Sequence, residues 1–422
     1  MRFRSWSARA PWLRCLVLLT LLCCAPTAAQ AAPLGYVANY GSNSISVIDV
    51  ATNTVVDTIA GISRPYGIAL TPDKTRAYVS NLHSSSVSVI DLSTKAIVAT
   101  VPVGTLPAGL VVNPTGTRVY VTNAESDSVS IIDTATNTVV GTIHVPVHPN
   151  NAVISPDGSR LYVNGQSSND VTVIDTATDT ILTKVAVGSF PTAMGISPDG
   201  SRIYVGNTRD TKVSVIDTAT NTVVASPTVG NWPFGVAVTP NGARAYVANL
   251  SSRTVSVIDT ATNAVVATIP VAQDVTFVAV SPDGVSVYVS EENASAVAVI
   301  DTATNTLTGT IAVGVNPQSI VIETPPPGPR PSLLELIPNP VRGGKMVAGQ
   351  VTLDKAAGPG GVTVALTSNS PAAEVPAEVV VPEGAISVQF QIKSRQVAVS
   401  TPVVITADAN NKSISRTLTV QP

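Results

Sequence analysis

VSVIDTATNTVV (residues 213–224) is one of seven similar stretches in this chain. The copies follow one another at intervals of 42 residues, marked by Asp49, Asp91, Asp133, Asp175, Asp217, Asp259 and Asp301. Seven tyrosines, each opening a Tyr-Val pair, keep the same interval: Tyr36, Tyr78, Tyr120, Tyr162, Tyr204, Tyr246 and Tyr288. A fixed interval of this length indicates a repeat protein whose units bury their apolar faces against their neighbours.

Each unit contains four short segments rich in Val, Ile and Thr, which predicts four antiparallel strands. In the unit around Trp232 these segments are 234–239, 244–249, 254–259 and 264–269. A single four-stranded sheet cannot bury both of its apolar faces, so neighbouring sheets must stack. Because seven twisted sheets around one axis form a propeller, we predict an all-β, seven-bladed β-propeller over residues 34–323.

The two ends of the repeat region complement each other. The chain enters at Tyr36, in the second strand of a unit, and leaves after 318–323, a first strand with no second strand behind it. We therefore predict that 318–322 pairs beside 36–39 and closes the ring. Such pairing hides two sheet edges that would otherwise be open to aggregation.

Two turn sequences recur between the predicted strands. SPDG begins at Ser155, Ser197 and Ser281, between first and second strands, and DTATNT lies between third and fourth strands. Proline presets φ, aspartate caps the turn, and glycine or asparagine accepts the left-handed region. We interpret the seven repeated aspartates as turn residues, with a calcium-binding or catalytic role as the alternative.

Several recurring sequence motifs resemble those of the YVTN-repeat, or YncE-like, family of exported bacterial and archaeal β-propellers. They are YVTN (residues 120–123), VSVIDTATNTVV and SPDG, and the resemblance covers residues 34–323. Two units depart from it, with Gly165 and Glu291 in place of the asparagine of YVTN. Similar propellers serve as surface and binding proteins, lactonases and cofactor-bearing redox domains, so the resemblance implies a fold and no single activity.

Residues 1–31 have the pattern of a cleaved signal peptide, with four arginines, an apolar run at 16–24 and Ala-Gln-Ala at 29–31. We therefore predict an exported protein, periplasmic, secreted or on the cell surface. Lipoprotein processing at Cys23 or Cys24 is the alternative. The apolar run is too short to span a bilayer, and no transmembrane segment is expected after removal of the signal.

Removal of this segment changes the chemistry available to the chain. All three cysteines lie within it, so the exported form has no disulfide, thiolate nucleophile or thiol-bound metal. The four arginines leave with it, and 20 basic against 27 acidic side chains remain, a formal charge of about −7. This balance disfavours nucleic acid as a partner.

The loops at the two ends of the predicted ring differ in variability. Strand alternation places the SPDG and DTATNT turns at one end, the bottom face, and the other two loop families at the opposite end, the top face. The bottom loops are nearly uniform, whereas the top loops differ in every unit. We therefore predict that the top face binds an unknown protein, glycan or small molecule. The candidate ligand-binding residues lie beside recurring prolines or, for Asp274, at the equivalent position in the unit that lacks the proline: Arg64, Tyr66, His148, Asn150, Phe190, Trp232, Phe234, Asp274, Asn316 and Gln318.

Alternatives to this binding role stay open for several of these residues. Trp232 is the only tryptophan after residue 31 and, with nearby phenylalanines, favours a contact surface. Packing between blades is the other interpretation. We interpret His148 as a loop histidine, with a catalytic base as the alternative. We interpret Asp274, Glu291 and Glu292 as a solvated acidic rim, with a cation site as the alternative.

Linear catalytic motifs are missing from the sequence: there is no G-x-S-x-G elbow, H-E-x-x-H helix or phosphate-binding glycine loop. We therefore predict no catalytic residue, no metal and no cofactor, and a non-catalytic binding scaffold. The alternative is a lactonase-like hydrolase whose polar groups converge at the axis, which requires a common point within reach of Arg64, His148, Asp274, Asn316 and Gln318. A redox propeller is disfavoured because thiols and a phase-matched histidine pair are lacking.

The C-terminal part has a different pattern. Residues 324–331 are rich in proline and predict an extended linker. Residues 332–422 contain no 42-residue unit, and seven alternating segments predict an immunoglobulin-like sandwich: 333–337, 346–353, 362–368, 377–381, 386–392, 402–407 and 413–420. The run at 343–384 is similar to bacterial Ig-like modules, which act as spacers or adhesive units.

Overall fold

The computed structural model describes residues 33–324, 329–358, 360–410 and 412–422. The chain divides into two compact units, one at Ala32–Pro326 and the other containing Pro327–Pro422. The predicted signal peptide at 1–31 and the central part of the predicted linker, 325–328, lie outside the described residues.

The first unit is built from short strands that follow the repeat. In chain order they are β1 (Leu34–Asn39), β2 (Ser44–Asp49), β3 (Thr54–Ala60), β4 (Pro65–Leu70), β5 (Arg76–Asn81), β6 (Ser86–Asp91), β7 (Ala96–Pro102), β8 (Pro107–Val112), β9 (Arg118–Asn123), β10 (Ser128–Asp133), β11 (Thr138–His144), β12 (Pro149–Ile154), β13 (Arg160–Gly165), β14 (Asp170–Asp175), β15 (Thr180–Ala186), β16 (Pro191–Ile196), β17 (Arg202–Asn207), β18 (Val213–Asp217), β19 (Thr222–Ala225), β20 (Pro233–Val238), β21 (Arg244–Asn249), β22 (Thr254–Asp259), β23 (Ala264–Pro270), β24 (Val275–Val280), β25 (Ser286–Glu291), β26 (Ala296–Asp301), β27 (Thr306–Ala312) and β28 (Pro317–Ile322). A single 3₁₀ turn, Glu292–Ala294, interrupts the described strands.

Within residues 33–324 these strands form seven four-stranded antiparallel sheets. Six sheets use four consecutive strands, and the seventh has the order β28-β1-β2-β3. The inner strands contact one another in the cyclic order β4, β8, β12, β16, β20, β24, β28 and back to β4. Sheets arranged in this way around an axis are a β-propeller, so the structure confirms the all-β propeller part of the prediction.

Strands from both ends of the unit close the ring, as the sequence predicted. In the pairing of β1 with β28, Gly35 lies opposite Ile322 and Tyr36 opposite Val321. The strands predicted around Trp232 also agree with the observed β20 to β23 to within one residue at each end.

The apolar core lies between neighbouring sheets. One cluster joins Tyr78 and Val87 from one sheet to Val119 and Val121 from the next. Each fully buried valine or isoleucine contributes about 1.5–3 kcal/mol to this packing. The outermost strands are largely exposed, and five of the seven turn a pair of apolar residues toward solvent, such as Val55 and Val56.

At some sheet junctions the repeated tyrosine bonds to the asparagine of the DTATNT turn in the next sheet. The hydroxyl of Tyr78 donates a hydrogen bond to Asn137 Oδ1 at 2.8 Å, and that of Tyr246 donates to Asn305 Oδ1 at 3.0 Å. Both asparagines have a left-handed backbone, with φ of 53°. The turn asparagine thus forms the predicted turn and also accepts a bond from the preceding sheet, a role that was not predicted.

The closing sheet uses a different acceptor. Lys95 occupies the asparagine position in the sheet that follows Tyr36. The hydroxyl of Tyr36 instead donates to Glu323 Oε1 at 2.9 Å, while the backbone N–H of Leu34 donates to Glu323 Oε2 at 3.4 Å. Burial and the neighbouring Glu323 carboxylate raise the pKa of Tyr36. Glu323 therefore holds together the place where the two ends of the ring meet.

The repeated aspartates cap turns, as predicted. Asp133 Oδ1 accepts hydrogen bonds from the backbone N–H groups of Ala135 and Thr136, at 3.1 and 2.9 Å. The hydroxyls and backbone N–H groups of Ser93 and Thr94 lower the pKa of Asp91 to about 2. In the part of the chain that the structure describes, no group of three acidic, histidine or cysteine side chains could hold a metal ion.

We expect the thermal unfolding midpoint to fall as pH is lowered from about 4 to 2. Hydrogen bonds lower the pKa of Asp91 and Asp157 to about 2 in the fold, below the unfolded value of about 3.9. Their contribution to stability is therefore complete above the unfolded pKa and is lost as pH falls through the folded pKa. Circular dichroism melting from pH 6 to 2 at constant ionic strength measures this. The double variant Asp91→Asn, Asp157→Asn should show a shallower dependence, and an equally steep one would contradict the assignment.

The second unit is a two-layer β-structure. Its strands are β29 (Pro331–Ile337), β30 (Val341–Arg342), β31 (Met346–Leu353), β32 (Val362–Ser368), β33 (Ala373–Glu374), β34 (Glu378–Val381), β35 (Ser387–Ser394), β36 (Thr401–Ala409) and β37 (Lys412–Gln421). They form two sheets, ordered β29-β31-β35-β33 and β30-β37-β36-β32-β34. Side chains of both sheets, among them Val347, Phe390, Val403 and Leu418, share one core. All seven predicted segments are strands, and the two short strands β30 and β33 were not predicted. Among the residues described in either unit, no helix has the length and apolarity needed to cross a membrane.

Candidate binding face

The top face has a backbone frame that is the same in every unit. In all seven units the carbonyl before the first strand accepts a hydrogen bond, at 2.9–3.2 Å, from the backbone N–H four residues after the repeated tyrosine. The residues that provide this carbonyl are Arg64, Leu106, His148, Phe190, Trp232, Asp274 and Asn316. Their side chains all differ, so the backbone frame is constant and each unit places a different side chain on it.

Most of these residues have a strained backbone. Six of the seven, all except Asp274, have φ between 46° and 66°. A left-handed conformation costs a non-glycine residue about 1–3 kcal/mol. The strain is held by side-chain caps, because the backbone N–H groups of Arg64 and His148 donate to Asn43 and Asp127 at 2.9 and 2.8 Å. The fold therefore fixes how the residue before each proline is presented.

Arg64 belongs to a cluster that the sequence did not reveal. Its Nη1 donates to the hydroxyl oxygen of Tyr40 at 3.4 Å, and its guanidinium carbon lies 5.6 Å from the centre of the Tyr40 ring. His83 Nε2 lies 3.0 Å from the same hydroxyl. Tyr40 and His83 are scarce residue types in the variable loops, and that scarcity was the one signal that could have found them.

Phe190 and Trp232 lie at a second cluster. The guanidinium of Arg209 stacks on the ring of Phe190, with its central carbon 4.0 Å from the ring centre. Trp232 is 53% exposed and, with Arg209 and Asn231, lines a shallow depression of about 370 Å³. The exposure of Trp232 argues against the alternative that it packs between blades.

Asp274 forms an ion pair and a hydrogen bond with neighbouring side chains. One carboxylate oxygen lies 2.8 Å from Arg253 Nε, and the other accepts from Asn293 Nδ2 at 2.8 Å. Glu291 is only 1% exposed, and burial raises its pKa while backbone N–H groups of Ala272 and Gln273 lower it. The prediction of a solvated acidic rim is therefore wrong for Glu291, which replaces a buried asparagine, and Asp274 is paired.

Tyr66 and Phe234 lie on inner strands and meet Phe277 at the axis. The Phe277 ring packs edge-to-face against Tyr66 and Phe234, with centres 5.7 and 5.3 Å away. Burial raises the pKa of Tyr66 to about 12, and a hydrogen bond with the Asn150 side chain opposes this shift. We call Tyr66, Phe234 and Phe277 the aromatic plug.

The polar residues of the hydrolase alternative do not meet. Asn316 and Gln318 are bonded to each other, and Gln318 is buried. Arg64 and Asp274 bond to separate partners on the rim, and for the His148 side chain the described residues provide no hydrogen bond. Among the described residues, a hydrogen bond joins only Asn316 and Gln318 of these five, so the geometry gives the hydrolase hypothesis no support.

Below the plug the axis widens into a cavity of about 500 Å³, the axial cavity. All seven inner strands contribute to its walls, and Lys74 and Glu323 stand at its lower end. Lys74 has φ of 60° at a position where five other units have glycine. The prediction of a uniform bottom face is therefore wrong in the unit of Lys74.

Comparison with known proteins supports the fold. No family model matches this chain, and no curated protein does. The hydrazine synthase of Kuenenia stuttgartiensis is similar, with 25% identity and a TM-score of 0.58 over 64% of this chain and 92% of that one. A functionally unknown protein from Desulfotomaculum acetoxidans DSM 771 is similar over 70% of this chain and all of that one, with 18% identity and a TM-score of 0.63. This chain shares their fold.

Proposed function

We propose that this protein is an exported, non-catalytic binding scaffold. In this proposal the first unit is a seven-bladed propeller of the YVTN-repeat type and the second an immunoglobulin-like spacer or adhesion module. The seven sheets in cyclic contact and the two-layer second unit support these assignments. The partner is a protein, a glycan or a small molecule bound on the top face.

The observation that carries this function is the contrast between frame and side chains on the top face. The backbone bonds are the same in all seven units, and strained residues are held in place at six of them. Strain of this kind persists only where the surrounding structure enforces it, and it is concentrated at functional sites. A constant frame with individual side chains provides specific recognition without changing the fold.

Within this face the cluster of Phe190, Arg209 and Trp232 is the strongest contact point. Exposed tryptophan and arginine dominate binding energies at protein interfaces. The stacked Arg209 keeps the Phe190 ring in a fixed position, which lowers the entropic cost of binding. Flat groups, such as sugar rings or peptide aromatics, fit the shallow depression beside Trp232.

We expect Trp232→Ala to weaken binding of a top-face ligand by about thirtyfold, the effect of losing about 2 kcal/mol at a contact point. The screen uses thermal shift against muropeptides, cello- and malto-oligosaccharides and an acyl-homoserine lactone, followed by calorimetry on the hits. Val266→Ala is the matched control, because Val266 is 51% exposed on an outer strand. Equal affinity in the parent and Trp232→Ala would overturn the role of this cluster.

Two further measurements test the non-catalytic role and the export of the protein. Hydrolysis of the lactone by the purified protein would contradict a non-catalytic scaffold and revive the hydrolase. Export predicts that the protein recovered from the cell envelope or medium begins at Ala32, which N-terminal mass spectrometry measures. An N-terminus at Cys23 or Cys24 would indicate a lipoprotein instead.

A further inference from the structure

The axial cavity has the shape of a pocket with one closed end. Its upper end meets the aromatic plug, where only a separate void of about 30 Å³ lies against Tyr66 and Phe277. Its volume of about 500 Å³ lies within the range of small-molecule sites, about 300–1,000 Å³. An occupant must therefore enter from the bottom face.

The walls of the axial cavity combine aliphatic side chains with polar groups. Side chains from different inner strands line it, including Leu70, Val112, Val153, Met194 and Ile320. Asn151 and Ser319 are polar, but Asn151 already accepts a hydrogen bond from the backbone N–H of Met194 at 3.2 Å. The aliphatic part of these walls suits an alkyl chain.

The lower end adds one cation with unused donors. Lys74 Nζ lies 3.9 Å from Glu323 Oε2, too far for a hydrogen bond. The Glu323 oxygens already accept from Tyr36 and Leu34. The ammonium group therefore forms a long ion pair with Glu323, and its three N–H donors stay available for a second acceptor.

The backbone at Lys74 supports a role for its side chain. Glycines at the equivalent position have φ of 72° to 76°, a region that suits glycine and that Lys74 enters at 60°. The sequence TPDK (residues 71–74) thus places a lysine where glycine would relieve the strain.

We propose that the axial cavity binds an aliphatic monocarboxylate, with its alkyl chain between the seven inner strands and its carboxylate at Lys74. The alkyl chain would remove apolar wall from water, and the carboxylate would accept charge-assisted hydrogen bonds from the ammonium group. This site lies on the opposite face from the proposed top-face ligand and does not depend on it.

The test compares decanoate with decan-1-ol, which has the same chain and no charge, by calorimetry on the purified protein. Both should bind saturably, decanoate more tightly. Lys74→Gly should weaken decanoate binding at least about tenfold, the loss of a hydrogen bond to a charged group, and leave decan-1-ol within about twofold. The glycine fits the backbone at this position, so the variant should fold.

Two further variants test the cavity itself and a position far from it. Val153→Phe should weaken both ligands because the larger side chain enters the cavity, and its melting midpoint shows whether it folds. Val266→Ala, on an outer strand, should bind both ligands like the parent. Absence of saturable decanoate binding to the parent would overturn the site. Unchanged decanoate affinity in Lys74→Gly would overturn the role of Lys74. An equal loss of affinity for decanoate and decan-1-ol in this variant would do the same.

Discussion

Replacement of residues 317–323 by a Gly-Ser segment of the same length is expected to abolish the cooperative unfolding transition of the first unit near its normal temperature. This change removes β28, its ladder with β1, and the buried side chains of Ile320 and Ile322. It also removes Glu323, which bonds Tyr36 and Leu34. The combined loss is comparable with the whole stability of a typical domain, about 5–15 kcal/mol.

Calorimetric melting measures this loss, and an outer strand provides the control. The same replacement at β27 (Thr306–Ala312) affects a strand that is exposed at all but one position. It should lower the melting midpoint by clearly less. An unchanged midpoint after replacement of 317–323 would contradict a ring closed by its two ends.

Gly235→Ala is expected to lower the free energy of unfolding by about 1–3 kcal/mol through overpacking. A Cβ atom at this position would lie 2.3 Å from the carbonyl oxygen of Thr276 and 2.8 Å from the Cα atom of Phe277. Both contacts are with backbone of the neighbouring inner strand, so β24 must move. Because Phe277 belongs to the aromatic plug, the plug must move with it.

Chemical denaturation measures this effect, and Gly309→Ala is the matched control. A Cβ atom on Gly309 would meet nothing within 4 Å. Alanine already occupies the equivalent position at Ala99, Ala225 and Ala267. We expect this control to be neutral or to raise stability by up to about 1 kcal/mol. Equal stability of Gly235→Ala and the parent would show that the inner strands are not in tight contact.

The repeat made much of the fold predictable. Seven copies of one unit serve as an internal alignment, so a strand or turn seen in one copy is supported in the others. The aspartates cap turns and β28 pairs with β1 because these features depend on backbone pattern. The comparison of units also singled out Trp232, because it departs from its equivalents. In the structure Trp232 is exposed.

The remaining features depend on side-chain directions in three dimensions. Tyr78 and Asn137 each had a sufficient local explanation, so nothing in the sequence indicated that they bond to each other. Glu291 looked like part of an acidic loop, yet it lies at the end of β25 and points into the sheet interface. The axial cavity arises from seven strands that are distant in sequence, and no short window describes it.

The tyrosine links between sheets have a consequence for how such a chain can grow. The links of Tyr78 and Tyr246 each join residues 59 positions apart, which is longer than one 42-residue period. A single unit excised from the chain would carry a donor without its acceptor and an acceptor without its donor. Insertion of one complete unit restores both at the new junctions, whereas insertion of a fraction would misalign them. Evolution by duplication of whole units is thus the route that this bonding scheme accommodates.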